Sequence, residues 1–282
     1  MTKTNTANTL AECQALDQED PLRSLRDLFQ VPESMIYLDG NSLGVLPKAT
    51  PARVAAAVAQ EWGQDLIKSW NSAGWFQMPL QVGNKIARLI GAKDDEVIAA
   101  DSTSINLYKV LSAALSIAQA DHPEKKVILS ERTNFPTDLY IAEALCKERG
   151  FTLKLVEAQA LQSALQADVA VLMLTHVNYR TGAMFNMKAM TAIAHSVGAL
   201  TVWDLAHSAG AQHSLLLLQK MLKRPKVPKR HAIPRTIKIK TTFIYQKSRD
   251  PSTPPCDASN FNLVPPRRFC SRRRPPAAKC DG

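Results

Sequence analysis

No stretch of the 282-residue sequence approaches the roughly 18 apolar residues that a membrane-spanning helix requires. The first twenty residues, MTKTNTANTLAECQALDQED, contain no apolar run of signal-peptide length. Neither a membrane span nor export is expected. Cysteine is scarce: Cys13 and Cys146 lie early, Cys256, Cys270 and Cys280 late, and no two are close. An odd number without close pairs provides neither a zinc motif nor a disulfide framework, so a reduced, cytoplasmic setting without a metal is expected. GxGxxG and Walker loops do not occur. HExxH and GxSxG are missing as well, which removes the common hydrolase readings.

Glycine and acidic residues run out together near residue 211. Residues 212–282 hold 17 Lys or Arg against three acids, and 10 of the 17 prolines but only one of the 11 glycines. The net charge of +10 therefore belongs to the tail, because the preceding body is mildly acidic. Such a shift marks a boundary. The division expected is an N-terminal segment (1–31), a body (32–211) and a basic, proline-rich tail (212–282) that is disordered or aberrant. A basic tail raises a nucleic-acid or acidic-partner reading. Its aromatics are few, however, and no nucleic-acid motif accompanies Arg272, Arg273 and Arg274, so a solvated tail is favoured.

The body alternates strands and helices. Strands are expected over residues 125–130 (KKVILS), 151–156, 169–175 (VAVLMLT) and 199–204 (ALTVWD). Helices are expected over 138–149 and 187–197, stopped by Gly150 and Gly198. The continuous apolar run VAVLMLT fits a strand buried on both faces. Alternation at this spacing implies right-handed crossovers, hence an α/β protein with a mostly parallel sheet covered by helices on both faces. Ligands of such sheets collect beyond the carboxyl ends of the strands. Polar residues just after strands are therefore the candidates, at 101–106, 134–138 and 204–207. After Gly210 the pattern stops, with at most one helix over 214–222 and one strand over 236–245.

Three constellations could carry chemistry. In TVWDLAHSAGA (201–211) a strand delivers Asp204 to its end and His207 follows. A carboxylate there could hold a protonated pyridine nitrogen or simply cap a helix. In DSTSINLY (101–108) hydroxyls and free N–H groups at a helix start could hold a phosphate, although capping alone also explains them. In TNFPTDLY (133–140) Phe135 could stack on a flat cofactor or pack as a hydrophobic staple. The segment YLDGNSLG (37–44) precedes these strands and suits a tight loop.

Taken in order, YLDGNSLG, GWFQMPLQVG (74–83), DSTSINLY, NFPTD, LTHVNYRTGAMFNM (174–187) and WDLAHSAGA resemble kynureninase over about residues 32–211. The resemblance implies the large domain of a fold-type-I, aminotransferase-like enzyme dependent on pyridoxal 5′-phosphate (PLP). It also implies a homodimer that hydrolyses L-kynurenine or 3-hydroxykynurenine to anthranilate or 3-hydroxyanthranilate and L-alanine, within tryptophan catabolism and NAD biosynthesis. Carried over residue by residue, Thr103 and Ser104 would contact the cofactor phosphate and Phe135 would stack on the ring. Pro136, Thr137 and Asp138 complete the cofactor-binding segment. Thr175 lies near the ring, Asp204 and His207 contact the cofactor from the strand end, and Asn41, Ser42 and Trp75 lie near the substrate.

The resemblance ends before the residue with which the chemistry starts. In the family a further strand and a Gly-rich stretch with adjacent Tyr and Lys follow, the Lys carrying PLP as a Schiff base. Lys229 lies at about that distance but in RPKVPKRHAIPR, without the Tyr, the glycines or an apolar strand. The catalytic lysine is thus unidentified, the domain is truncated, and a weak or inactive enzyme is expected. The alternatives are another fold-type-I PLP enzyme, such as a cysteine desulfurase relative, and a non-catalytic binding protein with a basic tail.

Overall fold

The computed structural model describes residues 9–209, 236–240 and 243–246. The chain divides into two units, Met1–Ser248 and Arg249–Gly282, and every described residue belongs to the first.

Helix α1 (Leu10–Glu19) opens on a capping box in which Thr9 Oγ1 accepts the Glu12 N–H at 3.3 Å and the Glu12 carboxylate accepts the Thr9 N–H at 2.9 Å. Helix α2 (Thr50–Ala56) runs into a π-helical turn over Ala57–Trp62, and α3 (Ser69–Ser72) follows. The α/β part then proceeds as α4 (Met78–Ile90), β1 (Val97–Ala99), α5 (Thr103–Asp121), β2 (Val127–Glu131), α6 (Pro136–Arg149) and β3 (Thr152–Val156). It continues with α7 (Leu161–Ala164), β4 (Val169–Thr175), α8 (Met187–Ser196), β5 (Leu200–Asp204), β6 (Thr236–Lys240) and β7 (Phe243–Gln246). Gly150 closes α6 at φ 70°, a left-handed conformation that a side chain would resist.

The strands form one sheet in the order β1-β7-β6-β5-β4-β2-β3, with β7 antiparallel to both its neighbours and the other pairings parallel. Two antiparallel steps return β1 to the common direction. The carboxyl ends of β1, β2, β4 and β5 therefore lie along one edge. The expectation of a mostly parallel α/β sheet holds. The expectation that the pattern stops after Gly210 does not: residues 236–246 supply β6 and β7, two strands rather than one over 236–245. The other differences are of one or two residues at element ends, except that β1 and helices α1, α2, α3, α4 and α7 had not been anticipated; the helix expected over 214–222 lies outside the described residues.

All seven residues of β4 are buried, as its apolar run requires. One face of the sheet packs Leu129, Leu172, Leu174 and Trp203 with Ala87 and Ile90 of α4, Leu161 of α7 and Met187 and Ala194 of α8. The other packs Ile128, Val171, Met173 and Val202 with Leu107, Leu111 and Leu115 of α5 and Ala142 and Leu145 of α6. The register slips between Val127 and Ile128, whose partners are Val169 and Val171, so Ala170 is the extra residue of a bulge. Beyond it the alternation is regular, which places Ser130, Thr175 and Asp204 on the α5–α6 face at the strand ends. At the opposite edge the Nζ of the buried Lys125 donates to the carbonyls of Ala167 at 2.5 Å and Val197 at 2.7 Å, satisfying the end of α8. No helix among the described residues is long and apolar enough to cross a membrane.

Helix α4 lies against β1 at Gly83, where a Cβ would meet the Val97 carbonyl oxygen at 2.0 Å and its carbon at 2.6 Å. Alanine in a helix interior is ordinarily favoured over glycine by about 0.5–1 kcal/mol. Here the backbone clash outweighs that gain. Gly83→Ala is expected to destabilise the chain by about 1–3 kcal/mol, read as a lower urea midpoint at unchanged slope.

Candidate functional site

The three stretches singled out by their position after strands all fall at the shared carboxyl edge. Residues 101–106 follow β1 and open α5, residues 134–138 follow β2 and open α6, and Asp204 ends β5 beside Thr175, its register partner on β4. At the start of α5, Ser102 is the N-cap and its hydroxyl accepts the Ile105 N–H at 3.4 Å. Thr103 and Ser104 occupy the first two helical positions, half-buried. The first-turn N–H groups and the positive end of a 19-residue helix face the carboxyl edge, where an anion would be favoured.

Phe135 is itself the N-cap of α6, with Pro136 at the first helical position, where a missing N–H costs nothing. Its ring stays partly exposed and meets Tyr179 edge-on at 5.1 Å. The alternative, a hydrophobic staple before a capped helix, would put it one residue ahead of the N-cap. Beneath it, Asn134 is almost wholly buried and ties three elements together. Its amide nitrogen donates to Ser130 Oγ at 3.1 Å, while its oxygen accepts from Thr175 Oγ1 at 2.5 Å and from the Phe135 N–H at 2.7 Å. Ser130 Oγ donates in turn to the Met173 carbonyl at 2.7 Å.

Asp138 and Asp204 are the charged core of this edge, both buried. Asp204 Oδ1 accepts the Ala206 N–H at 2.7 Å, a local turn rather than the helix cap that was the alternative reading. Burial pushes Asp204 up to about 6, against the pull of the Ala206 N–H and of the neighbouring His207. Burial also pushes Asp138 up to about 8, and the Asp204 charge adds to it. Two carboxylates share a poorly solvated site with no Lys or Arg paired to either among the described residues. His207 is reached from the N-terminal part of the chain, its Nδ1 lying 3.3 Å from Asn41 Nδ2.

The other two residues expected near a substrate are not joined to this cluster by a hydrogen bond among the described residues. Ser42 lies in the turn made by Asp39–Leu43, its N–H bonded to the Asp39 carbonyl at 3.1 Å. Trp75 donates its indole N–H to Glu61 at 2.7 Å, and Glu61 also pairs with Arg53 at 2.9 Å. The Trp75 bond, with Arg53, holds Glu61 below the usual carboxylate range despite some opposing desolvation. No group of His, Cys, Asp and Glu among the described residues could hold a metal. Lys229 lies outside the described residues.

Ser130 and Glu61 were not picked out from the sequence as site residues, and Asn134 was picked out only as the first residue of the candidate stretch 134–138. A serine inside the apolar strand VILSE is a readable signal of a buried hydrogen bond. Glu61 leaves no such trace, because nothing local distinguishes it from a surface acid.

The raised carboxyls make a pH prediction. Asp138 ionises near 3.8 when unfolded and near 8 when folded. Folding is thus most favoured by this group below 3.8, and that contribution is lost as pH rises towards 8. Asp138→Asn removes the dependence. The variant is expected to match the parent at pH 4 and to unfold several degrees higher at pH 8, at about 2–4 °C per kcal/mol. A difference between the two melting curves that stays constant with pH would contradict the assignment.

Comparison with known proteins agrees with this geometry. The family model "Aminotransferase class-V" matches residues 73–219. Kynureninase of Pseudomonas fluorescens is 56% identical over 206 residues, 72% of this chain and 50% of that protein. Kynureninase of Burkholderia mallei (strain SAVP1) is 52% identical over the same shares. The chain thus spans about half the length of the curated relatives it matches. Among solved structures, the apo cysteine desulfurase of Thermococcus onnurineus NA1 superposes with a TM-score of 0.53 at 19% identity, covering 68% of this chain and 50% of that one. A C-DES mutant with glycine covalently linked to its PLP cofactor gives 0.61 at 14%, covering 79% and 59%. These similarities are of fold alone. With the family model matching 73–219 and kynureninases over half identical to it across the body, the chain belongs to the aminotransferase class-V family.

Proposed function

We propose that the carboxyl edge of the sheet is the cofactor half of a kynureninase-like PLP site, acting in the hydrolysis of L-kynurenine or 3-hydroxykynurenine to anthranilate or 3-hydroxyanthranilate and L-alanine. The observation that carries the reading is Asp204, buried at the end of β5 with its carboxyl pushed up to about 6 and no Lys or Arg paired to it among the described residues. A protonated ring nitrogen is the counter-charge such a carboxylate lacks. The residues present fit the group in two further respects: Phe135 offers a partly exposed ring face, and the opening turn of α5 offers unpaired N–H groups with Thr103 and Ser104 hydroxyls for a phosphate. When bound, PLP supplies an electron sink for negative charge developing on the substrate amino acid.

The chain's own residues then have separate tasks. Asp204 would hold a proton at the ring nitrogen, and Asp138, held neutral by burial, adds no second negative charge beside Asp204. Pro136 and Thr137 set the start of α6 so that Phe135 covers the ring. Thr175 stands beside Asp204 on the adjoining strand. His207 is oriented by Asn41, which couples the cofactor edge to the loop carrying Ser42, and Trp75 is fixed by Glu61 to line the substrate side.

The kynureninase sequence pattern is lost after residue 211, and with it the Tyr-Lys pair that would bind the cofactor covalently. We therefore expect PLP to bind reversibly and turnover to be weak or absent. Large apolar side chains of the N-terminal region, including Ile36 and Leu38 at 90% exposed and Ile67 at 76%, support a homodimer in which this surface is covered. The setting we propose is cytoplasmic.

Titration of the full chain with PLP, followed by absorbance, is expected to show saturable binding that Asp204→Ala weakens by about tenfold or more. Borohydride treatment and dialysis should leave no cofactor attached, and anthranilate fluorescence should rise slowly or not at all with kynurenine. No saturable PLP binding would overturn the reading. Retention of cofactor after reduction would overturn the judgement on the lysine, and the labelled peptide would identify the residue.

A further inference from the structure

We propose that Asn134 is the positioning residue of this site: its single side-chain amide fixes the direction of the Thr175 hydroxyl and anchors the backbone of Phe135, so that Thr175 offers a ligand only lone pairs. This rests on the reading of the site given above.

The direction of every hydrogen bond in the chain follows from groups that cannot reverse. The Met173 carbonyl can only accept, so Ser130 Oγ, 2.7 Å away, must donate to it. Having spent its only proton, Ser130 can only accept from Asn134 at 3.1 Å. That places the NH2 of Asn134 on the β2 side and its oxygen on the other. The Phe135 N–H can only donate, and it does so to that oxygen at 2.7 Å, an independent reason for the same amide orientation. Thr175 Oγ1, 2.5 Å from the same oxygen, must then donate as well.

Three of the four bonds are buried and the fourth, from the Phe135 N–H, is partly so. Ser130, Asn134 and Thr175 are 0%, 4% and 6% exposed, so water cannot substitute for a missing partner. The network spans β2, β4 and the start of α6, and it ends one strand from Asp204. A ligand atom meeting Thr175 Oγ1 must be a donor, an N–H or O–H. A deprotonated oxygen or an unprotonated ring nitrogen would face lone pairs. The same amide holds the N–H of the residue whose ring covers the cofactor. One side chain thereby links ring stacking with a preference for a protonated ligand.

The test uses the full chain and PLP itself, with affinity measured by absorbance titration and stability measured without PLP. Thr175→Val and Asn134→Ala are each expected to weaken PLP about tenfold or more, since each leaves a buried polar partner unmatched. The double variant should bind no more than about twofold worse than the weaker single, because both act through one path. Thr175→Ser keeps the hydroxyl and should stay within about threefold of the parent. Hydrogen exchange at the Phe135 amide should accelerate in Asn134→Ala.

A purely structural role predicts otherwise: losses that multiply in the double variant and follow the melting midpoint, and either result overturns the proposal. Should Asn134→Ala fail to fold, Ser130→Ala decides, since it removes one of the two groups that fix the amide direction, leaves the Phe135 N–H alone to hold it, and keeps the Asn134 oxygen in place. It is expected to weaken PLP about threefold, and unchanged affinity would overturn the argument. If the parent chain binds no PLP, the proposed function falls. If the parent binds and Asn134→Ala binds equally well, only this inference falls.

Discussion

A strand buried on both faces can carry polar side chains only at its ends, and each one must find its partner inside the protein. That constraint falls on β4, whose seven residues are all covered by the two helical layers. Its apolar interior stabilises the sheet at about 1.5–3 kcal/mol for each large side chain buried. Its carboxyl end delivers Thr175 into the same dry layer as Ser130 and Asp204. Water is excluded there by the packing of α5 and α6, so the hydroxyl must bond to protein, and Asn134 is what it reaches. The polar chain from Met173 through Ser130 and Asn134 to Thr175 and Phe135 is thus a consequence of the core.

The same exclusion of water sets the electrostatics. Asp138 and Asp204 are raised because burial disfavours their charged forms, and the Asp204 charge further resists ionisation of Asp138. The edge of the sheet is nevertheless not uniformly acidic. The opening turn of α5 presents N–H groups and the positive end of a helix dipole, while β5 presents a carboxylate. A site with opposite polarities at its two ends favours a ligand built the same way, anionic at one end and cationic at the other. A phosphorylated pyridinium has that form, and its cation would relieve the desolvated carboxylates, which have no Lys or Arg partner among the described residues. Family membership and site electrostatics are independent arguments, and here they converge.

Much of this was legible in the sequence because periodicity reports burial directly. VAVLMLT could only be a strand covered on both sides, and Gly150 and Gly198 marked the ends of the helices before β3 and β5. The rule that ligands gather beyond strand carboxyl ends selected 101–106, 134–138 and 204–207, and the structure brings all three to one edge. What could not be read is pairwise. Asp138 and Asp204 are 66 positions apart, and the coupling between them exists only once β2, β4 and β5 are in register. Asn134 looked like a loop residue beside a more conspicuous Phe135, since a hydrogen-bond hub has no local signature. β1 is three residues long, too short for an alternation to show, and Gly83 gained its meaning only when α4 came to rest on the Val97 carbonyl.

The region after residue 211 separates two kinds of requirement. Residues 236–240 pair in parallel with β5 and residues 243–246 return antiparallel to reach β1, so the sheet is continued by residues beyond the stretch 73–219 that the family model matches. Sheet pairing asks for little beyond extended backbone and compatible side chains, because its bonds are made by N–H and C=O groups that nearly every residue carries. Covalent attachment of a cofactor asks for one amine at one place, in surroundings that hold it there. A segment can therefore complete the architecture without meeting the stricter requirement of the chemistry. The Asp204 edge is consistent with that division: its fold, its buried network and its charge arrangement depend on residues up to 209, whereas bond cleavage would depend on a lysine that the sequence after 211 does not place in the family's context.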